Sequence, residues 1–202
     1  FGSSTQSGSV DYRSPAFSIG SGITMSAAIT YDPNAGVGPA AAGGVASTAG
    51  SGEAAVIKIA SDTGLTIGGG LEEVNGAALG AGVNRSTVYA LYSMGPISLG
   101  YQETYVDSAH DNSAVEGADI EADMMGIAIT SGDFSVSYAE QNETTQGVSD
   151  SAALLEVEMS AIQAAYSMGA MTAAISMYET DNVGGITAAT FEETEISVSF
   201  AF

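Results

Sequence analysis

The single histidine, His110, is the side chain best suited to act as a general base in this sequence, which contains no cysteine. Asp107, Ser108 and Asp111 lie close to it, and these residue types are the ones that nucleophilic catalysis requires. A catalytic triad also needs a rigid element that holds the nucleophile against the imidazole. His110 instead lies in a stretch rich in Asp, Asn and Ser, which is typical of a loop. We therefore predict no catalytic residues and no enzymatic activity.

Carboxylates are concentrated in the same stretch, and carboxylate oxygens are ligands that Ca²⁺ prefers. The candidate ligands are Asp107, Asp111, Glu116 and Asp119. Their spacing does not match that of an EF-hand loop. Two interpretations stay open, namely a calcium site between exterior loops or against lipid phosphates, and a solvated acidic loop without a metal. We expect no other cofactor.

The charge balance and the composition exclude several classes of protein. The 202 residues include 24 acidic and 3 basic side chains, which gives a net charge of −21. Nucleic-acid binding needs cations that displace condensed counterions, so this class of partner is excluded. The absence of cysteine also excludes disulfide scaffolds and thiolate metal sites. Because 45% of the residues are hydrophobic and alternate regularly, we expect the chain to fold.

Apolar residues recur at every second position through most of the chain, as they do in β-strands with one apolar face. In one example, Phe134, Val136 and Tyr138 alternate with Ser135 and Ser137. The pattern predicts about eleven strands, at 12–20, 23–32, 53–61, 65–73, 86–94, 97–106, 124–131, 134–141, 156–167, 171–179 and 194–202.

Short turns alternate with long polar connections between these predicted strands. The short turns are centred on Ser21, Asp62, Gly95, Gly132 and Gly169. The long connections cover 32–53, 73–85, 107–123, 141–156 and 180–195. A change of apolar phase between Met159 and Ile162 predicts a β-bulge. Strands of about ten residues, with short turns on one side and long loops on the other, are typical of outer-membrane β-barrels.

The composition of the other strand face indicates which solvent each face meets. A soluble β-sandwich usually carries Lys, Arg, Glu and Thr at its exposed strand positions. Here that face consists of Ser, Gly, Ala and Thr with almost no lysine. A barrel whose apolar face meets lipid, and whose small polar face lines a lumen, explains this composition better. The predicted fold is therefore an all-β, transmembrane, antiparallel up-and-down β-barrel.

Aromatic residues lie near the ends of the predicted strands, where barrels carry girdles at the membrane interfaces. The candidate girdle residues are Tyr101, Tyr138, Tyr166, Phe200 and Phe202. The alternative is that tyrosine is simply common in strands.

Two segments resemble a known family. The final strand, Thr194–Phe202, alternates apolar residues up to a terminal phenylalanine, and so resembles the signal by which the assembly machinery recognises outer-membrane barrels. The segment Ser9–Phe17 reads SVDYRSPAF and resembles the RYDSPxF strand that follows the constriction loop in general diffusion porins of Gram-negative, especially alphaproteobacterial, bacteria. The order departs from that pattern, because Asp11 precedes Tyr12 and Arg13 follows it.

This resemblance implies a barrel of about 16 strands, a homotrimer, and a third long loop folded into the lumen. Single-chain bacterial barrels have an even number of strands, and an odd number leaves unpaired edges. We therefore expect residues 1–202 to form the C-terminal two-thirds of a longer single-domain barrel, with 1–9 as the exit of the constriction loop. A complete barrel of about ten or twelve strands is the alternative.

The resemblance also suggests pore-lining residues, because in porins a cluster of basic wall residues faces acids on the constriction loop. The candidates for this cluster are Lys58, Arg13 and Arg85. Alternation adds Glu72 and Gln102 as pore-lining candidates, because they share a face with small residues such as Gly70 and Gly100. Alternation places Arg13 on the face of Phe17, away from Lys58, unless Pro15 or a bulge shifts the phase. Isolated cations that pair with nearby acids are the alternative interpretation.

The sequence as a whole favours a porin in the outer membrane of a Gram-negative bacterium. Such a channel passes small hydrophilic solutes by passive diffusion, and the excess of acids predicts a preference for cations. Its expected partners are the lipid bilayer, lipopolysaccharide and the barrel assembly machinery. The alternative function is a structural or adhesive surface protein without a channel, acting through its long acidic loops.

Overall fold

A single antiparallel sheet of twelve strands accounts for the described part of the chain. The computed structural model describes residues 9–33, 50–75, 82–107, 119–146, 155–183, 186 and 188–201. Within these ranges no helix is long and apolar enough to cross a membrane. The strands are β1 (Val10–Arg13), β2 (Phe17–Gly20), β3 (Ile23–Asp32), β4 (Gly52–Ser61), β5 (Leu65–Val74), β6 (Val83–Met94), β7 (Ile97–Asp107), β8 (Asp119–Ser131), β9 (Phe134–Gln146), β10 (Leu155–Met168), β11 (Met171–Asp181) and β12 (Thr190–Phe200).

Each strand from β3 to β11 pairs with the strand that follows it in the sequence, as in an up-and-down meander. Both β1 and β2 pair with β3, so they are the two halves of the strand predicted at 12–20. The eleven predicted strand positions are therefore confirmed. Within the described ranges β1 pairs only with β3 and β12 only with β11, so the sheet is not closed.

The break between β1 and β2 lies at Ser14 and Pro15. Proline has no backbone N–H and cannot donate to the ladder. Ser14 keeps the pairing with β3 in place, since its backbone N–H donates to the Ala27 carbonyl and its Oγ accepts from the Ala27 N–H, both at 2.8 Å. The chain therefore stays attached to β3 while its side chains change face.

The short turns lie where the sequence predicts them, and each contains one glycine with positive φ. Gly132 and Gly169 occupy the first place of two-residue turns with φ of 58° and 61°, a conformation that residues with a Cβ rarely adopt. The next strand donates to a carbonyl of each turn, for example from the Ser167 N–H to the Asp133 oxygen at 2.8 Å. Apart from a register shift between Ser18 and Gly20 of β2, the sheet is thus regular up to this end.

At the other end the strands extend beyond the predicted limits. β8 begins at Asp119 and β9 ends at Gln146, so acids expected in loops lie in strands instead. The predicted β-bulge near Met159 is also wrong, because β10 pairs with β9 and β11 without any shift of register. Met159 and Ile162 lie on opposite faces of the sheet, and Met159 lies on the face that carries mainly small residues.

No apolar side chain is buried anywhere in the described ranges. A soluble domain of this size stabilises its fold by burying one apolar face of a sheet against another layer. Here there is one layer only, and large apolar side chains such as Ile57, Leu71 and Ile127 are exposed on it. The described fold therefore needs an apolar solvent or a partner on that side.

Candidate channel wall

The register divides the sheet into two faces of different chemistry. One face, here called the small-residue face, includes Ser26, Lys58, Gly68 and Gly100 and consists mainly of Ser, Thr, Gly and Ala. The opposite face, here called the apolar face, carries Ile, Leu, Met, Val and aromatic residues toward the short turns. Since paired residues in antiparallel strands share a face, this division continues unbroken from β3 to β12.

The apolar face changes character toward the long connections, where it carries only acids as charged residues. We call these carboxylates the acidic rim. Its thirteen members in the described strands are Glu53, Glu73, Glu103, Asp107, Asp119, Glu121, Asp123, Glu140, Glu156, Glu158, Glu179, Asp181 and Glu192. Several of these acids lie directly opposite one another, as Glu103 does with Asp123 and Glu179 with Glu192. Like charges in such positions repel, so they must be exposed to water and ions.

The border between the apolar positions and the acidic rim crosses the sheet obliquely. A line drawn straight across the sheet through paired residues begins at the rim residue Glu192 of β12 and reaches Ile59 on β4. The rim residue of β4 is Glu53, so the border has moved by six residues along the strand over eight strand spacings. With a rise of about 3.3 Å per residue and about 4.8 Å between strands, the border is inclined by about 27° to the pairing direction. Strands of membrane barrels are tilted by about 35–45°, so a border of this kind would lie roughly level in a membrane.

In the described strands, the apolar band is interrupted by no charged residue between the short turns and the acidic rim. On β11 it extends from Met171 to Met177, which corresponds to about 20 Å along the strand at about 3.3 Å per residue. In a strand tilted by about 40° this length spans about 15 Å of height, against an outward apolar band of about 25 Å in outer-membrane barrels. The apolar positions of β11 therefore cover the larger part of such a band, and the aromatic and rim positions lie at its borders.

The predicted girdle residues within the described ranges all lie on the apolar face. Tyr166 and Phe200 lie at its short-turn end, and Tyr101 and Tyr138 lie next to the acidic rim. The Tyr138 hydroxyl donates to Glu140 at 2.8 Å, so its ring contacts the band while its polar end points to the rim. This is the arrangement that an interfacial aromatic residue adopts. Phe202 lies outside the described residues.

All three basic residues of the chain lie on the small-residue face. Lys58 pairs with Ser26 and Gly68, and Arg13 pairs with Ala28. Simple alternation would place Arg13 with Phe17, but the exception predicted for a phase shift at Pro15 applies here. The face of the side chains changes across Ser14–Ala16, because proline interrupts the ladder there, and Arg13 joins the face of Lys58.

Arg85 and Glu72, also predicted to line the pore, form an ion pair on the small-residue face. The Arg85 Nη1 donates to the Glu72 Oε2 at 3.1 Å, and the two residues are direct partners in the register of β5 and β6. Side-chain exposures of 41% and 25% leave the pair in contact with water. The charge of Glu72 thus offsets that of Arg85. This favours the alternative interpretation for Arg85, namely an isolated cation that pairs with a nearby acid.

Gln102 lies on the small-residue face as well, between Tyr89 and Met124 in the register. Its amide donates to the Thr104 hydroxyl at 3.2 Å. It therefore contributes a fixed polar group to this face, close to large apolar neighbours.

Tyr89, Met124 and Tyr178 are large side chains on the small-residue face that sequence reasoning did not assign to the pore. Tyr89 rests on Gly68, since a Cβ added to that glycine would lie 2.6 Å from the Cζ of the ring. The run of three glycines at 68–70, paired with β6, is the signal that could have indicated a close approach of an aromatic ring.

The candidate calcium ligands are only partly described. Asp107 and Asp119 lie on the apolar face as members of the acidic rim. Asp111, Glu116 and His110 lie outside the described residues. Within the described ranges, no three acidic or histidine side chains are grouped closely enough to hold a metal ion.

Comparison with known proteins identifies the fold. Neither a scan against family models nor a search of curated proteins gives a match. A solved structure described as that of a porin matches 95% of this chain with a TM-score of 0.64 and 14% sequence identity. The matched region spans 60% of the porin chain. The sheet therefore has the fold of a porin β-barrel wall, which confirms the predicted fold class.

Proposed function

We propose that this chain forms the wall of an outer-membrane porin, a water-filled channel for the passive diffusion of small hydrophilic solutes. The observation that carries the proposal is the two-faced sheet without a buried core. Its apolar face is exposed and uncharged between the short turns and the acidic rim, and its small-residue face has the composition of a wetted lumen. The similarity to a porin fold supports the same function.

The charges of the small-residue face favour a cation-preferring channel. Six acids in the described strands belong to this face, against the three cations, and they are Asp11, Asp32, Glu72, Glu143, Glu193 and Glu195. A wall with excess negative charge raises the local concentration of cations, because the low-dielectric protein focuses the field into the lumen.

The remaining features of the proposal follow from the resemblance to general porins of the alphaproteobacterial type. They are a homotrimer, contact with lipopolysaccharide, and assembly through the C-terminal strand. Closure of the barrel by further strands at the N-terminal edge belongs to the proposal as well. A calcium site that includes Asp107 and Asp119 is proposed only as an addition at the loop end.

The test is a planar-bilayer recording on protein purified from membranes at its native length. We expect conductance steps in groups of three and a reversal potential that indicates cation preference. A folded barrel without conductance would contradict the proposal and favour the structural or adhesive alternative.

A further inference from the structure

A pocket on the small-residue face brings together two cations, an aromatic ring and an apolar floor. It encloses about 360 Å³, and its charged lining residues are Arg13 and Lys58. The Tyr89 ring forms another side, and the rest of the lining includes Ser26, Thr30 and Val56. We infer that this pocket is a binding site for small carboxylates with a flat apolar body, such as aromatic acids.

The pocket is an exception to the charge of the chain. Among the residues that the structure describes, no acid lines it, although the chain contains 24 acids. Asp11, which lies on β1 two residues before Arg13, accepts a hydrogen bond of 2.6 Å from the Thr30 hydroxyl. Within the described residues, the only ion pair joins Arg85 to Glu72 and lies outside the pocket. Arg13 and Lys58 are thus both directed at the same cavity, where their charge favours an anion.

Tyr89 makes the pocket suitable for more than a simple ion. The far end of its ring rests on Gly68 of β5, the residue that pairs with Lys58 of β4. The hydroxyl therefore lies over the strand adjacent to Lys58, where it is able to donate to a carboxylate. The ring and the apolar floor offer contact area to a flat body, and aromatic pairs gain energy beyond simple area burial.

The two cations reach the pocket from opposite sides of β3. Arg13 pairs with Ala28, whereas Lys58 pairs with Ser26, so their positions differ by one row of the register. A carboxylate between them interacts with both charges at once, and the Ser14 and Ser26 hydroxyls are able to donate to it, whereas the Thr30 proton is donated to Asp11. The inference rests on the proposed channel, because the pocket would then be part of its wall.

The site makes passage of aromatic carboxylates saturable while the channel as a whole prefers cations. We expect benzoate to reduce the potassium conductance of the bilayer channel in a concentration-dependent, saturable way. Acetate has the charge without the flat body and benzyl alcohol has the body without the charge, so both should act much more weakly. Equal effects of benzoate and acetate would overturn the aromatic part of the inference.

Charge-matched variants distinguish this site from a general field. Lys58→Met and Arg85→Gln each remove one positive charge, but only the first removes it from the pocket. We expect Lys58→Met to weaken benzoate binding by about fivefold, as for a water-exposed ion pair, and Arg85→Gln to have little effect. Tyr89→Leu should weaken benzoate without affecting acetate. Equal weakening by Lys58→Met and Arg85→Gln would contradict a local site.

The result separates the site from the channel. Normal potassium conductance without a benzoate effect would overturn the site and leave the porin proposal intact. If the folded protein does not conduct, saturation-transfer NMR on detergent-solubilised protein tests the site by itself. A benzoate signal that Lys58→Met and Tyr89→Leu abolish would then support the site, and no signal in the wild-type protein would overturn it.

Discussion

Tyr89 lies so close to Gly68 that a Cβ at position 68 would come within 2.6 Å of both the Cζ and the Oη of the ring. The two residues are direct partners in the register of β5 and β6. The absence of a side chain at Gly68 therefore allows the ring to lie across β5 instead of pointing away from the sheet. This contact determines the shape of the pocket that contains Lys58.

Gly68→Ala should displace the Tyr89 ring and weaken benzoate binding while the barrel still folds. The clash involves the end of a movable side chain, so the expected loss of stability is about 1 kcal/mol. Benzoate block of the channel and unfolding in denaturant measure the two effects. Gly20→Ala is the matched control, since its added Cβ would approach only the Ile23 Cδ1, at 3.9 Å. If both variants bind benzoate equally well, the contact does not shape the site.

Adjacent residues of β8 test which face meets lipid. Ile127 lies in the middle of the apolar band, and Ala128 lies on the small-residue face. Ile127→Arg should cost about 2–4 kcal/mol of folding free energy in a bilayer, because it places a charge against hydrocarbon. Ala128→Arg should instead leave stability nearly unchanged and shift the reversal potential toward anions. Refolding into vesicles across a denaturant series measures the stability of the two variants, and a bilayer recording measures the reversal potential. A greater loss of stability for Ala128→Arg than for Ile127→Arg would invert the assignment of faces.

The Arg85–Glu72 pair should affect selectivity more than stability. Arg85→Gln leaves the Glu72 charge without its partner, so the channel should prefer cations more strongly. Glu72→Gln should act in the opposite direction, and the double variant should come close to the wild type. The coupling energy in unfolding should stay below about 1 kcal/mol, since the pair is in contact with water. Reversal potentials under a salt gradient report the selectivity, and shifts of equal sign for the two single variants would exclude a role for the pair in the lumen.

The acidic rim should make stability depend on salt. Opposed acids such as Glu103 with Asp123 each cost about 0.2–1 kcal/mol, and ions screen that repulsion. The temperature of unfolding in detergent should therefore rise with potassium chloride, and Glu103→Gln should reduce the dependence. Calcium at equal ionic strength distinguishes screening from a specific site. A much larger stabilisation by calcium would favour the proposed site at Asp107 and Asp119.

The sequence predicts the strand order well because period-two alternation and short turns are local signals. The apolar residues of β9, such as Val136 and Tyr138, alternate as they do because one face meets a different solvent from the other. Polar composition predicts a loop at rim residues such as Asp119 and Glu121, although they alternate with Ile120 and Ala122 as strand residues do. Polar composition and strand geometry are compatible when the strand extends beyond the membrane.

The pocket could be predicted only in part. Lys58 follows from parity, but Arg13 changes face at Pro15, and parity cannot be counted through a break in the ladder. Tyr89 lies on a strand whose two faces both carry mixed residues, so alternation does not assign it. Its position depends on a contact with Gly68 in the neighbouring strand, which is a tertiary relationship. Register between strands, rather than any single segment, forms the site.

Cysteine labelling on β8 tests the central claim most directly, namely that one face of the sheet meets lipid and the other a water-filled lumen. The chain has no cysteine, so single variants give a clean signal. In vesicles, Ala128→Cys and Thr130→Cys should react with a membrane-impermeant, water-soluble thiol reagent, whereas Ile127→Cys and Ile129→Cys should not. All four should react after denaturation. Reaction at 127 and 129 with protection at 128 and 130, or equal reaction at all four in vesicles, would contradict the account.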